Sequence, residues 1–360
     1  MANNKVNNDF SCVDLFCGAG GLTHGFILEG LPVNAGIDLD PACRYPYEVN
    51  NEATFIEQDV AKMEAGELAS LFSPGTIKVL AGCAPCQPFS TYSQRYDTMS
   101  DGKWSLLYEF GRLVEGARPD IVTMENVPTV QRHEVFKDFS AKLEELGYRV
   151  WSDVVECAHY GVPQTRRRIV LLASLHGSIE MIEPTHPHPK TVKQAIGRLR
   201  PIAAGERAPR DRLHTASSLS PKNLKRIRAS RPGGTWRDWP PHLVADCHKE
   251  GSGRTYPSVY GRMEWDKPAP TMTTQCYGYG NGRFGHPEQD RAISLREAAI
   301  LQSFPRGYKF VDRDEPVEFN PIGRMIGNAV PVSLGRAIAQ SISAHVAELN
   351  VRPTRRGKRN

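Results

Sequence analysis

The feature that most limits the possible folds is a repeated switch of hydrophobic period in the first third of the chain. Residues 12–16 read as a buried strand, and residues 21–29 follow with a helical pattern. Residues 33–37 are strand-like again and residues 41–50 helical again. Further apolar runs at 79–81, 121–124 and 169–173 suit buried strands, with a helix expected over 135–146. Strands alternating with helices predict an α/β sandwich: a parallel sheet with crossover helices. After Ser174 the periodicity fades, and Pro, Gly, Arg and His become frequent up to about residue 285. An irregular second domain is expected there, since 360 residues exceed the usual size of one domain. Regular structure returns at Ser294, an N-cap with Glu297 three residues on as a capping box, opening a helix over 294–304. Residues 332–346 read as a closing helix.

Composition narrows the classes of function. No apolar run approaches the roughly 20 residues of a membrane helix, and the Asn-rich start lacks the apolar stretch of a signal peptide. A cytoplasmic protein with no membrane partner is expected, its eight cysteines reduced. The net charge of +5 is unevenly spread: residues 190–260 hold 15 Lys and Arg against 5 Asp and Glu, a local +10 that leaves about −5 elsewhere. Lys222, Lys225, Arg226, Arg228, Arg231 and Arg237, with Trp236 and Trp239 interleaved, are what a polyanion-binding surface needs. A solvated basic face over core tryptophans fits the same residues. The basic tail, 352–360, is assigned nothing.

Four motifs carry chemistry. Asp14-Leu15-Phe16-Cys17-Gly18-Ala19-Gly20-Gly21 ends a strand and opens a helix, where main-chain amides can hold an anionic or adenosine-bearing ligand. Thr23 stands where the dinucleotide fingerprint has its third glycine, which weakens a NAD reading. Asp38 or Asp40, about twenty residues on, is placed for a ribose; an ordinary tight turn accounts for the glycines equally well. In Gly82-Cys83-Ala84-Pro85-Cys86-Gln87-Pro88-Phe89-Ser90, Cys83 and Cys86 have the spacing of a redox pair, but Pro88 interrupts the helix such a pair requires. A single nucleophilic thiolate, Cys86, is the alternative. No second Cys or His pair offers zinc spacing, so no metal is expected. Met124-Glu125-Asn126-Val127 presents a carboxylate at the same sheet edge, for catalysis or for a structural ion pair. In Gln164-Thr165-Arg166-Arg167-Arg168, strand alternation puts Arg166 and Arg168 on one face.

Taken in order, these motifs with residues 291–308 (RAISLREAAILQSFPRGY) and 327–332 (GNAVPV) resemble the DNA cytosine C5-methyltransferases over nearly the whole chain. The resemblance implies an S-adenosylmethionine-dependent, Rossmann-like methyltransferase sheet with helices on both faces and a smaller target-recognition domain. It implies boundaries at 1–178 for the catalytic domain, 179–288 for target recognition, 289–325 for a hinge and return helix, and 326–348 for a helix completing the catalytic domain, before the tail at 349–360.

By the same resemblance Cys86 is the nucleophile, Glu125 engages the target cytosine, and Arg166 and Arg168 assist. Phe16 and Leu39 would face adenine, Asp38 the ribose, and Gly18, Ala19, Gly20 and Gly21 the methionine end of S-adenosylmethionine. Asp59, Val60, Pro85, Leu106, Asn328 and Ala329 complete the cofactor set, with S-adenosylhomocysteine as product. Ser90, Arg231, Arg237 and Thr271 would contact double-stranded DNA, and residues 89–103 resemble a loop that closes over the flipped base. A restriction endonuclease acting separately is an implied partner, and a monomer is expected. The sequence departs from the family where Gly and Pro commonly stand, at Cys83 and Ala84, and in having Lys103 for an arginine. Rival readings are a tRNA-modifying branch, whose Cys-Phe-Thr triplet is here Cys276-Tyr277-Gly278, a catalytically silent DNA-binding relative, and an oxidoreductase.

Overall fold

Phe10–Leu15, six consecutive buried residues, form strand β1, as expected of a strand covered on both faces. The computed structural model describes residues 9–85, 105–249, 251 and 253–351. They fall into two units: one of residues up to 156, 167–184 and from 332 on, the other of 157–166 and 185–331.

In the first unit β1 leads into α1 (Gly21–Leu28), β2 (Val33–Asp38), α2 (Arg44–Asn51), β3 (Thr54–Glu57), α3 (Ala65–Ser70) and β4 (Ile77–Gly82). After the undescribed stretch come α4 (Ser105–Ala117), β5 (Ile121–Asn126), α5 (Glu134–Glu145) and β6 (Arg149–Glu156). The two-residue β7 (Gln164–Thr165) belongs to the second unit, and β8 (Arg167–Ser174) returns to the first. Seven described strands make one sheet in the order β3-β2-β1-β4-β5-β8-β6. The first five run parallel, but β8 is antiparallel to both β5 and β6. The sheet is therefore mixed: the parallel expectation holds for the first five strands, and β8 departs from it. A short connection from β6 to β8 permits a hairpin-like return, whereas a parallel pair needs a crossover.

Alternation along β1 sorts its side chains between two layers. Val13 and Leu15 join Leu80, Phe110, Val122 and Leu171 in a core shared with α3, α4 and α5. Each such buried side chain contributes roughly 1.5–3 kcal/mol. Asp14 points to the other face, where its Oδ2 accepts a hydrogen bond of 2.7 Å from Thr23 Oγ1 of α1. The last helix, α11 (Val332–Val351), crosses α1 closely: a Cβ on Gly25 would lie 2.7 Å from main-chain atoms of Val332, Gly335 and Arg336. No described helix is long and apolar enough to cross a membrane.

The second unit is built from short pieces: α6 (Val192–Ile196), β9 (Arg207–Ala208), β10 (Asp211–Thr215), α7 (Pro221–Ala229), α8 (Asp246–Lys249), β11 (Ala269–Pro270), α9 (Leu295–Leu301) and α10 (Phe319–Asn328). Ser294 caps α9 as expected, its Oγ accepting from Glu297 N at 3.1 Å while Ser294 N donates to Glu297 Oε2 at 2.7 Å.

Candidate active site

The turn after β1 is held in shape by three residues of left-handed backbone, Phe16, Gly18 and Gly20, at φ of 58°, 53° and 83°. Only glycine adopts this conformation without steric cost, so a non-glycine there marks a constrained site. Gly18 N donates to Asp38 Oδ2 at 2.8 Å, and Asp40 N to Asp38 Oδ1 at 3.0 Å. Burial pushes the Asp38 carboxyl above its ordinary range, and the two amide hydrogen bonds pull it back down in part. Ala19, Gly20 and Gly21 are buried beneath the turn. Leu39 next to Asp38 is 65% exposed, a large apolar side chain left in solvent at the end of β2. Phe16 is half-buried. Asp59 caps a short helical turn by accepting from Ala61 N at 3.0 Å, and Val60 is in the core. Leu106 is half-buried at the start of α4.

At the ends of β4 and β5 the acidic motif is firmly seated. Asn126 Nδ2 donates to Ala84 O at 3.2 Å and Asn126 Oδ1 accepts from Val127 N at 2.8 Å, which ties the two strand ends together. Pro85 is exposed there; Cys86, Ser90 and the loop 89–103 lie outside the described residues. Glu125 is 3% exposed. It pairs in register with Val170, so Arg168 is its diagonal neighbour on the same face of the sheet. Arg168 Nε stands 2.9 Å from Glu125 Oε1 as an ion pair, while the Cys83 thiol donates to Oε2 at 3.0 Å. Oε1 receives no directed hydrogen bond from the described residues. A carboxylate steered by one arginine and still owed a donor is chemically suited to an amidine-like ligand edge, which offers an N–H.

Arg166 has different surroundings. The alternation argument assumes a continuous strand, but the strand breaks at Arg166 between β7 and β8, where Arg166 O accepts from Cys157 N at 2.8 Å. Its buried guanidinium donates to Met272 O at 3.2 Å, Gly327 O at 3.4 Å and Ala329 O at 3.3 Å. Gln164 works alongside it: Oε1 accepts from Met272 N at 2.8 Å and Nε2 donates to Leu301 O at 2.8 Å. Gln302 Nε2 donates to Ala329 O at 2.7 Å, and Asn328 is exposed at the end of α10. Thr271 Oγ1 donates to Thr165 O at 2.8 Å. Four motifs distant in sequence thus meet in the second unit through side chain to main chain hydrogen bonds.

The basic segment splits. Trp236 and Trp239 are core residues, packed with Ile227, Leu243 and Tyr279, and so are removed from the expected polyanion-binding surface. Arg226 is buried too, its guanidinium within 6 Å of both the Trp239 and Tyr260 rings and its Nε donating to Leu243 O at 2.8 Å. Arg231 and Arg237 are exposed, yet each has a partner: Arg231 meets Asp238 at 3.3 Å, and Arg237 donates to Arg254 O at 2.7 Å. The glycines between them serve the chain's own packing. Gly233 has φ 71°, and a Cβ on it would meet the Glu264 carboxylate at 2.6 Å.

The sequence suggests for Cys83 only a redox pairing with Cys86, and no role for Asn126 or Gln302. Asn126 and Gln302 were within reach, being polar residues inside apolar stretches; the Cys83 contact depends on two strand ends and leaves no periodic trace.

Comparison with known proteins gives a consistent result. Residues 10–344 match the family described as C-5 cytosine-specific DNA methylase. The Type II methylase M.HgiDII of Herpetosiphon aurantiacus is 54% identical, over 94% of this chain and 97% of that protein. The Type II methyltransferase M1.HphI of Haemophilus parahaemolyticus is 31% identical, over 92% and 86%. Among solved structures, a DNA modification methyltransferase encoded within an E. coli prophage superposes with a TM-score of 0.73 at 20% identity, covering 94% of this chain and 99% of that one.

Proposed function

Since this chain belongs to the family of C-5 cytosine-specific DNA methylases, we propose that it methylates C5 of a flipped-out cytosine within a specific sequence of duplex DNA. The donor is S-adenosylmethionine, S-adenosylhomocysteine is released, and the reaction passes through a covalent bond from Cys86 to C6. The observation that carries this reading is the buried Glu125 carboxylate, paired with Arg168 and owed a donor at Oε1. A cytosine edge supplies what that oxygen lacks: an exocyclic N–H beside the N3 acceptor.

Cytosine C5 is too weak a nucleophile to attack a methyl sulfonium, so the ring must first be activated at C6. The Cys86 thiolate forms the C6–S bond as the C5=C6 π bond breaks, and Glu125, accepting from the exocyclic amine and passing a proton to N3, lets the ring hold the displaced electron pair until that proton is returned. Arg168 holds Glu125 in place. Arg166 orders the main chain at Met272, Gly327 and Ala329. S-adenosylmethionine supplies a methyl group made electrophilic by its sulfonium charge. Loss of the C5 proton then restores the C5=C6 bond, and Cys86 is expelled.

The residues at the first-unit sheet edge fit this donor. Exposed Leu39 and half-buried Phe16 suit an adenine face, Asp38 a ribose, and the turn at Gly18, Ala19, Gly20 and Gly21 the methionine end. Asp59, Val60, Pro85, Leu106, Asn328 and Ala329 complete the proposed set. Ser90, Arg231, Arg237 and Thr271 are the proposed DNA contacts, with target recognition in residues 179–288. The Type II names of its bacterial relatives support a restriction endonuclease that acts separately; a monomer in the bacterial cytoplasm completes the proposal. The tRNA reading is less well supported, because the Cys-Phe-Thr triplet of that branch is here Cys276-Tyr277-Gly278.

Bisulfite sequencing of the genomic DNA and the tRNA of a host expressing the chain tests the proposal. One sequence context should become resistant to conversion. A genome with no protected context would overturn it, and protection confined to tRNA would move the substrate to RNA.

A further inference from the structure

Glu125 needs its carboxylate held in one orientation while one oxygen stays open to the base, and an ion pair alone leaves a terminal carboxylate rotation soft. The Cys83 S–H to Glu125 Oε2 contact, at 3.0 Å, is the one directed hydrogen bond that the carboxylate receives among the described residues. Arg168 Nε lies at Oε1 from the opposite strand, at ion-pair distance. Cys83 follows Gly82, the last residue of β4, and its own N donates to Leu15 O at 3.3 Å, so the thiol is carried on the sheet rather than on a loose loop. Each carboxylate oxygen is thus faced by a side chain from a different strand end.

We propose that Cys83 is a positioning residue for Glu125, its thiol donating to Oε2 so that Oε1 is presented to the target cytosine beside Arg168. The inference rests on the methyltransferase reading above. It departs from the redox role that the Cys83 and Cys86 spacing suggests, because the thiol is used as a donor to a carboxylate. No electron or group transfer at Cys83 is involved. A thiol is a weak donor, but an ionised acceptor strengthens the bond, so the effect is expected to be modest and specific to the chemical step.

The test compares Cys83→Ala, Cys83→Ser and wild type in single-turnover methyl transfer, with affinities for S-adenosylmethionine and DNA measured alongside. Cys83→Ala should slow transfer about fivefold with both affinities unchanged, and Cys83→Ser, whose hydroxyl can still donate, should recover most of the rate. An alanine variant as fast as wild type would overturn the proposal. So would a serine variant as slow as alanine, which would mean that packing alone matters. A second readout does not depend on activity: the infrared S–H stretch lost in Cys83→Ser should move to higher frequency in Glu125→Gln, a weaker acceptor, and an unmoved stretch would also overturn the proposal. A wild type that transfers no methyl group while the stretch does move would refute the methyltransferase reading and leave the hydrogen bond standing without its catalytic purpose.

Discussion

The two units use arginine in opposite ways. In the first, Arg168 reaches a carboxylate at the end of a regular strand, and the core beneath it is apolar. In the second, Arg166, Arg226, Arg262, Arg291 and Arg296 are all buried, and each donates to main-chain carbonyls; these are the buried arginines among the described residues. A sheet satisfies its own backbone, but an irregular chain does not, and buried carbonyls left without donors are costly. The guanidinium, with five donors, meets that need in little space. High arginine content therefore serves two ends in this molecule, the pairing of a carboxylate at the sheet edge and the internal bracing of a loop-rich unit.

If the division holds, damage at the sheet edge should remove chemistry while leaving stability intact. Glu125→Gln is expected to slow methyl transfer by about 10²–10⁴-fold with thermal melting unchanged; a comparable loss of melting temperature would break the comparison.

In the second unit the largest effect should fall on stability. Glu297 receives both Arg291 Nη1 at 2.6 Å and Nη2 at 2.8 Å, wholly buried. Burial raises the Glu297 carboxyl, but the hydrogen bonds and charge of Arg291 outweigh it and hold it below the ordinary range. Glu297→Ala strands a buried cation and should cost about 3–5 kcal/mol, read as faster amide exchange in the second unit. Exchange unchanged there would contradict the bracing role.

One buried group in each unit should answer pH in the sense opposite to the other. Burial raises the Asp14 carboxyl to about 7, with the Asp38 charge adding to the rise and the Thr23 hydrogen bond opposing it. A raised acid favours the folded state at low pH, so this contribution is lost as pH climbs from about 4 to 7. Burial lowers His286 to about 4, with Arg291 and Arg262 adding to the drop and Glu297 opposing it. The unfolded chain protonates first, so stability is lost as pH falls from about 6.5 to 4. Each effect is of the order of a few kcal/mol. Amide exchange resolved by unit should show the first unit loosening toward pH 7 and the second toward pH 4; Asp14→Asn should flatten the first profile.

The smallest effect separates surface arginines from bracing ones. Arg231→Ala and Arg237→Ala should each flatten the salt dependence of DNA binding by about one unit of slope if they meet phosphates, with affinity for S-adenosylmethionine unchanged. Unchanged DNA binding in both would assign them to the internal contacts with Asp238 and Arg254 alone.

Where periodicity governs, the sequence was legible. The strands β1, β2, β4, β5 and β8, the helices α1 and α5 and the Ser294 cap follow from local pattern, because burial on both faces or one stripe writes itself into residue order. The α4 stripe of Leu107, Phe110, Leu113, Val114 and Ala117 was there to be read at helical spacing. The edge strand β6, largely half-buried or exposed, lacks the apolar run that marks the others. The direction of β8 is set by chain return, which no propensity records. In the site, motif order pointed to Glu125 and Arg168, but the partners of Arg166 and the burial of Trp236 and Trp239 were settled by tertiary packing. Charge counts could not separate Arg226, buried against two aromatic rings, from exposed Arg231.

The central claim is that the first-unit sheet edge performs covalent catalysis on cytosine, and trapping tests it most directly. Duplex DNA with 5-fluorocytosine at the target, incubated with the protein and S-adenosylmethionine, should give a stable adduct, because fluorine blocks the final proton loss. Peptide mapping by mass spectrometry should place the adduct on Cys86, and Cys86→Ala should abolish it. An adduct on another residue, or one that survives in Cys86→Ala, would contradict the account.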